Sequence, residues 1–243
     1  MREYNEELKD NDERKYAYDF DVVLRRFMMR SFAPFMAPGR GLELGCYQGD
    51  MTAMIFESYP DLTVIDAAED ALSRARERVG PSVRFVHSKF EDYRPTAGYE
   101  AIFLVHTLEH ADDPVALLKR IGEWLSPTGR LFLAVPNANA PSRQIAVKMG
   151  LISHNTAVTE GEWKHGHRVT YTLDTLERDA KAARLNIAQR GGVFFKALAN
   201  FQFDQLLPTS IISPEYLEGC YQLGTSYPDL CASIYLICGR GLQ

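Results

Sequence analysis

Between residues 40 and 135 the chain alternates short apolar runs with amphipathic stretches, an order that suits a parallel sheet wrapped by crossover helices. Residues 40–44 (RGLEL), 62–66 (LTVID), 83–87 (VRFVH), 100–105 (EAIFLV) and 130–135 (RLFLAV) read as five strands. A helix over 51–59 ends before Pro60, whose ring cannot continue it. The next helix spans 67–79, with Ala68, Ala71, Leu72, Ala75 and Val79 along one stripe and charges opposite. Asp113 and Pro114 supply the cap and first-turn pair of a helix running to Leu125, and 126–129 make a turn. The third and fourth strands are apolar enough to be buried on both faces, as parallel strands usually are.

The flanks follow a different pattern. Residues 12–36 read as helical, with Tyr16, Phe20, Val23, Leu24 and Phe27 on one side. Residues 137–170 carry Asn, Pro, His and Gly with at most a short helix near 142–150, and 198–228 form a second, partly helical insertion. A helix at 174–184, an apolar segment at 186–196 and a strand at 231–238 complete the order. With 243 residues, 46% of them hydrophobic, there is material for one sizeable core. The expected fold is α/β, a doubly wound, mostly parallel seven-stranded sheet in a single domain, 1–243. Within it lie a helical cap (1–38), a ligand-binding half (39–136) and lid or substrate insertions (137–170 and 198–228).

The first strand runs into Glu43-Leu44-Gly45-Cys46-Tyr47-Gln48-Gly49 and then a helix. Gly45 and Gly49 remove side chains where a ligand would approach the backbone. Asp66 ends the second strand, where a carboxylate accepts hydrogen bonds from both ribose hydroxyls of a nucleoside or, equally, caps the helix beginning at Ala67. On these residues the chain resembles the class I S-adenosylmethionine-dependent methyltransferases, whose first motif is acidic–x–Gly–x–Gly–x–Gly. Glu43, Gly45 and Gly49 match it, while Tyr47 stands where the middle glycine is usual. The resemblance covers residues 40–136. It implies S-adenosyl-L-methionine as cofactor, with the Gly45–Gly49 loop, Cys46 and Tyr47 included, under its methionine part. Glu43 would act nearby, and Asp66 and Ala67 would lie at the ribose. Relatives carry an Asp at the position of Lys89, which cannot accept a hydrogen bond from adenine. Backbone groups of Lys89 and Phe90 would read the adenine edge instead, with Phe90 packed on the ring.

The fourth strand leads into His106-Thr107-Leu108-Glu109-His110, beyond a carboxyl strand end where open α/β sheets hold their ligands. If the segment makes one helical turn, His106, Glu109 and His110 share a face, joined at the rim by His106's possible cofactor contact. Histidine titrates near neutrality, so His106 or His110 can serve as general base, and His165 and His167 reach the rim from the insertion. His106, Glu109, His110 and His167 are therefore the candidate catalytic residues. The same group admits a structural role or a divalent metal, since Glu-His here is similar to ubiquinone-pathway O-methyltransferases and to the metal cluster of small-RNA terminal 2′-O-methyltransferases. No metal ligand set is assigned from the sequence.

The formal net charge of −5, with no basic run, argues against nucleic acid as partner. No apolar stretch is long enough to span a membrane, the charged N-terminus lacks a signal-peptide core, and Cys46, Cys220, Cys231 and Cys238 have no metal-binding spacing; a cytoplasmic protein is expected. Apolar segments near 194–212 suit a homodimer interface. A dehydrogenase would want a tighter Gly-x-Gly-x-x-Gly than Tyr47 allows. The expected activity is O-methylation of a hydroxyl on a small molecule, a sugar, glycan precursor or secondary metabolite, suited by the insertion aromatics Trp163, Tyr171, Phe201, Phe203, Tyr216 and Tyr221. The alternatives are a metal-assisted RNA 2′-O-methyltransferase and a non-catalytic S-adenosylmethionine-binding protein.

Overall fold

The computed structural model describes residues 4, 5 and 17–241. Seven strands form one sheet in the order β3-β2-β1-β4-β5-β7-β6. They are β1 (Gly41–Leu44), β2 (Leu62–Asp66), β3 (Arg84–His87), β4 (Tyr99–Val105), β5 (Leu125–Pro136), β6 (Asn186–Phe195) and β7 (Cys231–Gly239). β1 to β5 pair in parallel, and β7 enters antiparallel between β5 and β6. The chain order reverses between β1 and β4, so a crevice opens at their carboxyl ends.

Helices cover both faces: α1 (Asp19–Phe32), α2 (Asp50–Ser58), α3 (Glu69–Val79), α4 (Pro114–Trp124), α5 (Pro141–Lys148), α6 (Glu160–Lys164), α7 (Leu173–Ala182), α8 (Asn200–Leu206) and α9 (Pro214–Ser226). α1 buries Phe20, Leu24, Met28 and Phe32 against one face of the sheet, as its periodicity requires. Tyr16 and the other residues of 12–16 lie outside the described residues. Asp113 caps α4 by accepting the Ala116 N–H at 2.9 Å. On the opposite face α4 and α7 bury Leu117, Leu118, Ile121, Leu173 and Leu176. No helix among the described residues is long and apolar enough to cross a membrane.

Four expectations change. β3 is the sheet's edge and leaves Arg84 and His87 exposed; Phe85 and Val86 are only half-buried, one against the core of each face. The turn expected at 126–129 lies inside β5, where the register with β4 slips between Tyr99 and Ala101 to absorb it. A helix absent from the sequence reading, α6, is opened by a capping box in which Thr159 and Glu162 exchange hydrogen bonds. The insertion aromatics also go elsewhere than the ligand crevice. Tyr171 is buried and donates to Asp179 Oδ2, Phe203 stacks on Phe20 at 4.0 Å, and Tyr221 stacks on Phe27 at 4.7 Å. Within 194–212, Phe194, Phe203 and Ile212 are likewise buried inside the chain.

Candidate active site

A cavity of about 340 Å³ opens at the β1/β4 crevice, within the range of small-molecule sites. Gly45, Cys46, Tyr47, Asp66, Ala67, Lys89, Phe90 and His106 all line it, as expected of cofactor contacts. Gly49 and Glu43 do not. Gly49 has φ +80°, and a Cβ there would sit 2.8 Å from the Ala75 Cα, so its glycine serves the packing of the loop on α3 rather than ligand passage. Gly45, with φ +82°, would collide with Thr107. Tyr47 adopts φ +45°, the left-handed conformation that glycine usually fills.

Asp66 ties this loop to β2. Its Oδ2 accepts the Cys46 N–H and its Oδ1 accepts the Ala68 N–H, both at 2.9 Å. Burial raises the Asp66 carboxyl pKa while these backbone donors oppose the rise. Oδ2 also accepts the Cys46 thiol at 3.7 Å, so the room for a further donor lies at Oδ1. Glu43 lies beneath the loop, 2% exposed, with both carboxyl oxygens lacking a hydrogen-bond partner among the described residues, and burial pushes its pKa up to about 8. Burial also pushes the Cys46 thiol up.

The segment after β4 departs from a shared helical face. His106 has φ +51° and precedes a single 3₁₀ turn, Leu108–His110. His106 and His110 line the cavity, whereas Glu109 turns inward, 1% exposed, behind the rim. The His106 Nε2 lies 2.9 Å from Ser233 Oγ on β7. Burial, followed by the nearby charges of Arg25 and Lys196, lowers the His106 pKa to about 3 and keeps its ring neutral.

The insertion brings His165 and His167 to the same cavity. Arg143 ties it together through Glu162 and the carbonyl of Asn155, and the Arg168 N–H donates to the Glu109 carbonyl at 2.8 Å. His167 packs edge-on against His110, with ring centroids 4.6 Å apart, and burial lowers its pKa to about 4. Ligand atoms of Glu109, His110 and His167 lie within 4.8 Å of one another, and both Glu109 carboxyl oxygens lack a hydrogen-bond partner among the described residues. A carboxylate and two imidazoles so grouped fit a divalent cation that accepts mixed N/O donors.

Sequence reasoning missed part of the wall. Asp21 and Arg25 on α1, Lys196 after β6, Asn200 on α8, and Ser233 all face the cavity. The signal for the first two was present: Asp21 and Arg25 place charges beside the buried apolar stripe of an amphipathic helix. The Arg25 side chain is 17% exposed, and its ion pair with Asp50 is 3.6 Å long while Arg78 holds the same carboxylate at 2.8 Å.

The model of a family described as a methyltransferase domain matches residues 14–190. Trans-aconitate 2-methyltransferase of Rhodopseudomonas palustris (strain HaA2) is 34% identical over 112 residues, covering 45% of this chain and 43% of that protein. The chain thus spans less than half the length of that relative. Ubiquinone biosynthesis O-methyltransferase of Aeromonas salmonicida is 26% identical over 166 residues, 66% of this chain and 68% of that one. The fold is similar to an S-adenosylmethionine-dependent methyltransferase from Thermotoga maritima, with TM-score 0.65, 16% identity and coverage of 96% and 98%. It is also similar to the N-methyltransferase NodS of Bradyrhizobium japonicum bound to S-adenosylhomocysteine, with TM-score 0.55, 15% identity and coverage of 90% and 84%. The chain belongs to the class I S-adenosylmethionine-dependent methyltransferase family.

Proposed function

We propose that this chain transfers the methyl group of S-adenosylmethionine to a hydroxyl of a small polar molecule. The adenosine end lies along Asp66, Ala67, Lys89 and Phe90, with Asp66 Oδ1 taking a ribose hydroxyl. The methionine end lies against Gly45, Cys46 and Tyr47. Arg25, a largely buried guanidinium whose ion pair with Asp50 is long, supplies the fork of donors that a methionine carboxylate needs.

When bound, the cofactor supplies a methyl made electrophilic by its sulfonium and leaves as a neutral thioether. The chain contributes alignment, exclusion of water and a proton acceptor. The observation that carries the assignment is the contrast between the two rim histidines. His106 is held neutral and hydrogen-bonded to Ser233, so it orients the acceptor. His110, with Glu109 and His167 behind it, takes the hydroxyl proton as the new carbon–oxygen bond forms. The wall beyond His106 is polar, which suits a sugar-like acceptor better than an aromatic one. The test is methyl transfer to hydroxylated sugars and phenols, compared between wild type and His110→Ala.

A second reading rests on the buried Glu109 carboxyl, which has no hydrogen-bond partner among the described residues. Glu109, His110 and His167 would hold a divalent cation, whose charge would keep Glu109 ionised and polarise a bound hydroxyl. Metal content of the purified protein, with and without Glu109→Gln, separates the two readings.

A further inference from the structure

Lys196 has no role in the account above. It follows β6, and its backbone carbonyl accepts the Ser142 N–H at 3.1 Å, which fixes it against the insertion. Its ammonium faces the cavity with His106, Ser233 and Asn200. It donates to Asn200 Oδ1, and no other hydrogen bond or ion pair involves it among the described residues. Phe20 lies 6.0 Å from it. Asn200 in turn donates to Asp21 Oδ1 at 2.8 Å, and Asp21 Oδ2 accepts the Tyr18 N–H, so the nearby carboxylate is already engaged and stands apart from the ammonium. Burial lowers the Lys196 pKa to about 8, the mark of a cation taken out of water without full compensation.

A desolvated ammonium with one neutral partner costs stability unless a ligand completes it. It stands on the acceptor side of His106, close enough that its charge helps to keep that ring neutral. Methyl transfer itself needs no such cation, because the developing charge on the acceptor oxygen is relieved by proton removal.

We propose that Lys196 binds an oxyanion, a carboxylate or a phosphate, carried by the methyl acceptor, and is thereby a specificity-determining residue. The assignment rests on the methyltransferase reading and narrows its substrate class to acidic hydroxy compounds. Lys196 anchors the acid while His106 orients the hydroxyl beside it. The oxyanion replaces the missing partner with charge-assisted hydrogen bonds, which are about twice as strong as neutral ones.

The test uses wild type, Lys196→Gln and Lys196→Arg, each saturated with S-adenosylhomocysteine. Lys196→Gln removes the charge while keeping a donor for Asn200. Each protein is titrated calorimetrically with 3,4-dihydroxybenzoate against catechol, and with glucose 6-phosphate against glucose; the two pairs distinguish carboxylate from phosphate. The expected result is that at least one acid binds wild type about tenfold or more tightly than its neutral mate. Lys196→Gln abolishes that preference, Lys196→Arg restores most of it, and all three proteins bind S-adenosylhomocysteine equally. Equal binding of acid and neutral mates by wild type, failure of both acids to bind, or a preference that survives Lys196→Gln overturns the assignment. Failure of wild type to bind S-adenosylhomocysteine would instead overturn the methyltransferase reading beneath it.

Discussion

Asp66, at the carboxyl end of β2, accepts the backbone N–H of Cys46 at 2.9 Å and so holds the glycine loop of β1 in place. Asp66 also accepts the Ala68 N–H, although α3 begins at Glu69 with no side-chain cap, so it ties the loop to the approach to α3 rather than capping it. Asp66→Ala should weaken S-adenosylmethionine binding about tenfold or more and also lower the melting temperature, since two buried backbone donors lose their acceptor. Calorimetry and thermal denaturation read the two effects separately. A fall in melting temperature with unchanged affinity would leave Asp66 as a structural tie between the β1 loop and β2 only.

Arg25 is assigned to the cofactor's carboxylate, and the assignment has a selective consequence. Arg25→Met should lower affinity for S-adenosylhomocysteine about tenfold while leaving 5′-methylthioadenosine, which lacks the amino-acid part, nearly unaffected. Equal loss for both ligands would place Arg25 in the fold rather than at the ligand, through its ion pair with Asp50.

The reach of the sequence was uneven, for reasons visible at particular residues. The alternation that gave β1, β2 and β4, and with them Gly45, Asp66 and His106 at one crevice, depends on local periodicity and survives folding intact. Which strand forms the edge depends on pairing partners, so the apolar run of β3 looked as buried as that of β4. A helical spacing would put Glu109 on one face with His106. The positive φ of His106 and the tight 3₁₀ turn rotate Glu109 inward instead. Composition suits the insertion aromatics to a pocket, yet Tyr171 and Phe203 are buried in the core. Lys196 carries no sequence signal at all, since only the meeting of β6, α1 and α8 gives it a cavity to face.

His110→Ala should cut turnover at least a hundredfold, the scale of a lost general base, with S-adenosylhomocysteine affinity unchanged. Under the first reading, wild-type turnover survives EDTA and metal content stays well below one ion per chain. Near-stoichiometric metal that is lost in Glu109→Gln, together with EDTA-sensitive turnover, would favour the cation reading instead.

Glu43 sets a pH dependence in the unliganded protein. Burial disfavours the charged form and pushes its carboxyl from the ordinary 4.5 up to about 8 when folded. Between those values the folded chain keeps a proton that the unfolded chain releases, so this group's stabilising effect is full below 4.5 and is lost as pH rises through about 8. Melting temperatures of wild type should therefore fall relative to Glu43→Gln across that window. Parallel curves for the two proteins would show that Glu43 stays ionised within the fold.

The central claim is tested most directly by titrating the purified chain with S-adenosylmethionine and S-adenosylhomocysteine in a calorimeter, with NAD as the comparison. The account predicts one site per chain, micromolar binding of both sulfur compounds and no binding of NAD. Binding of neither sulfur compound by the folded protein would contradict it.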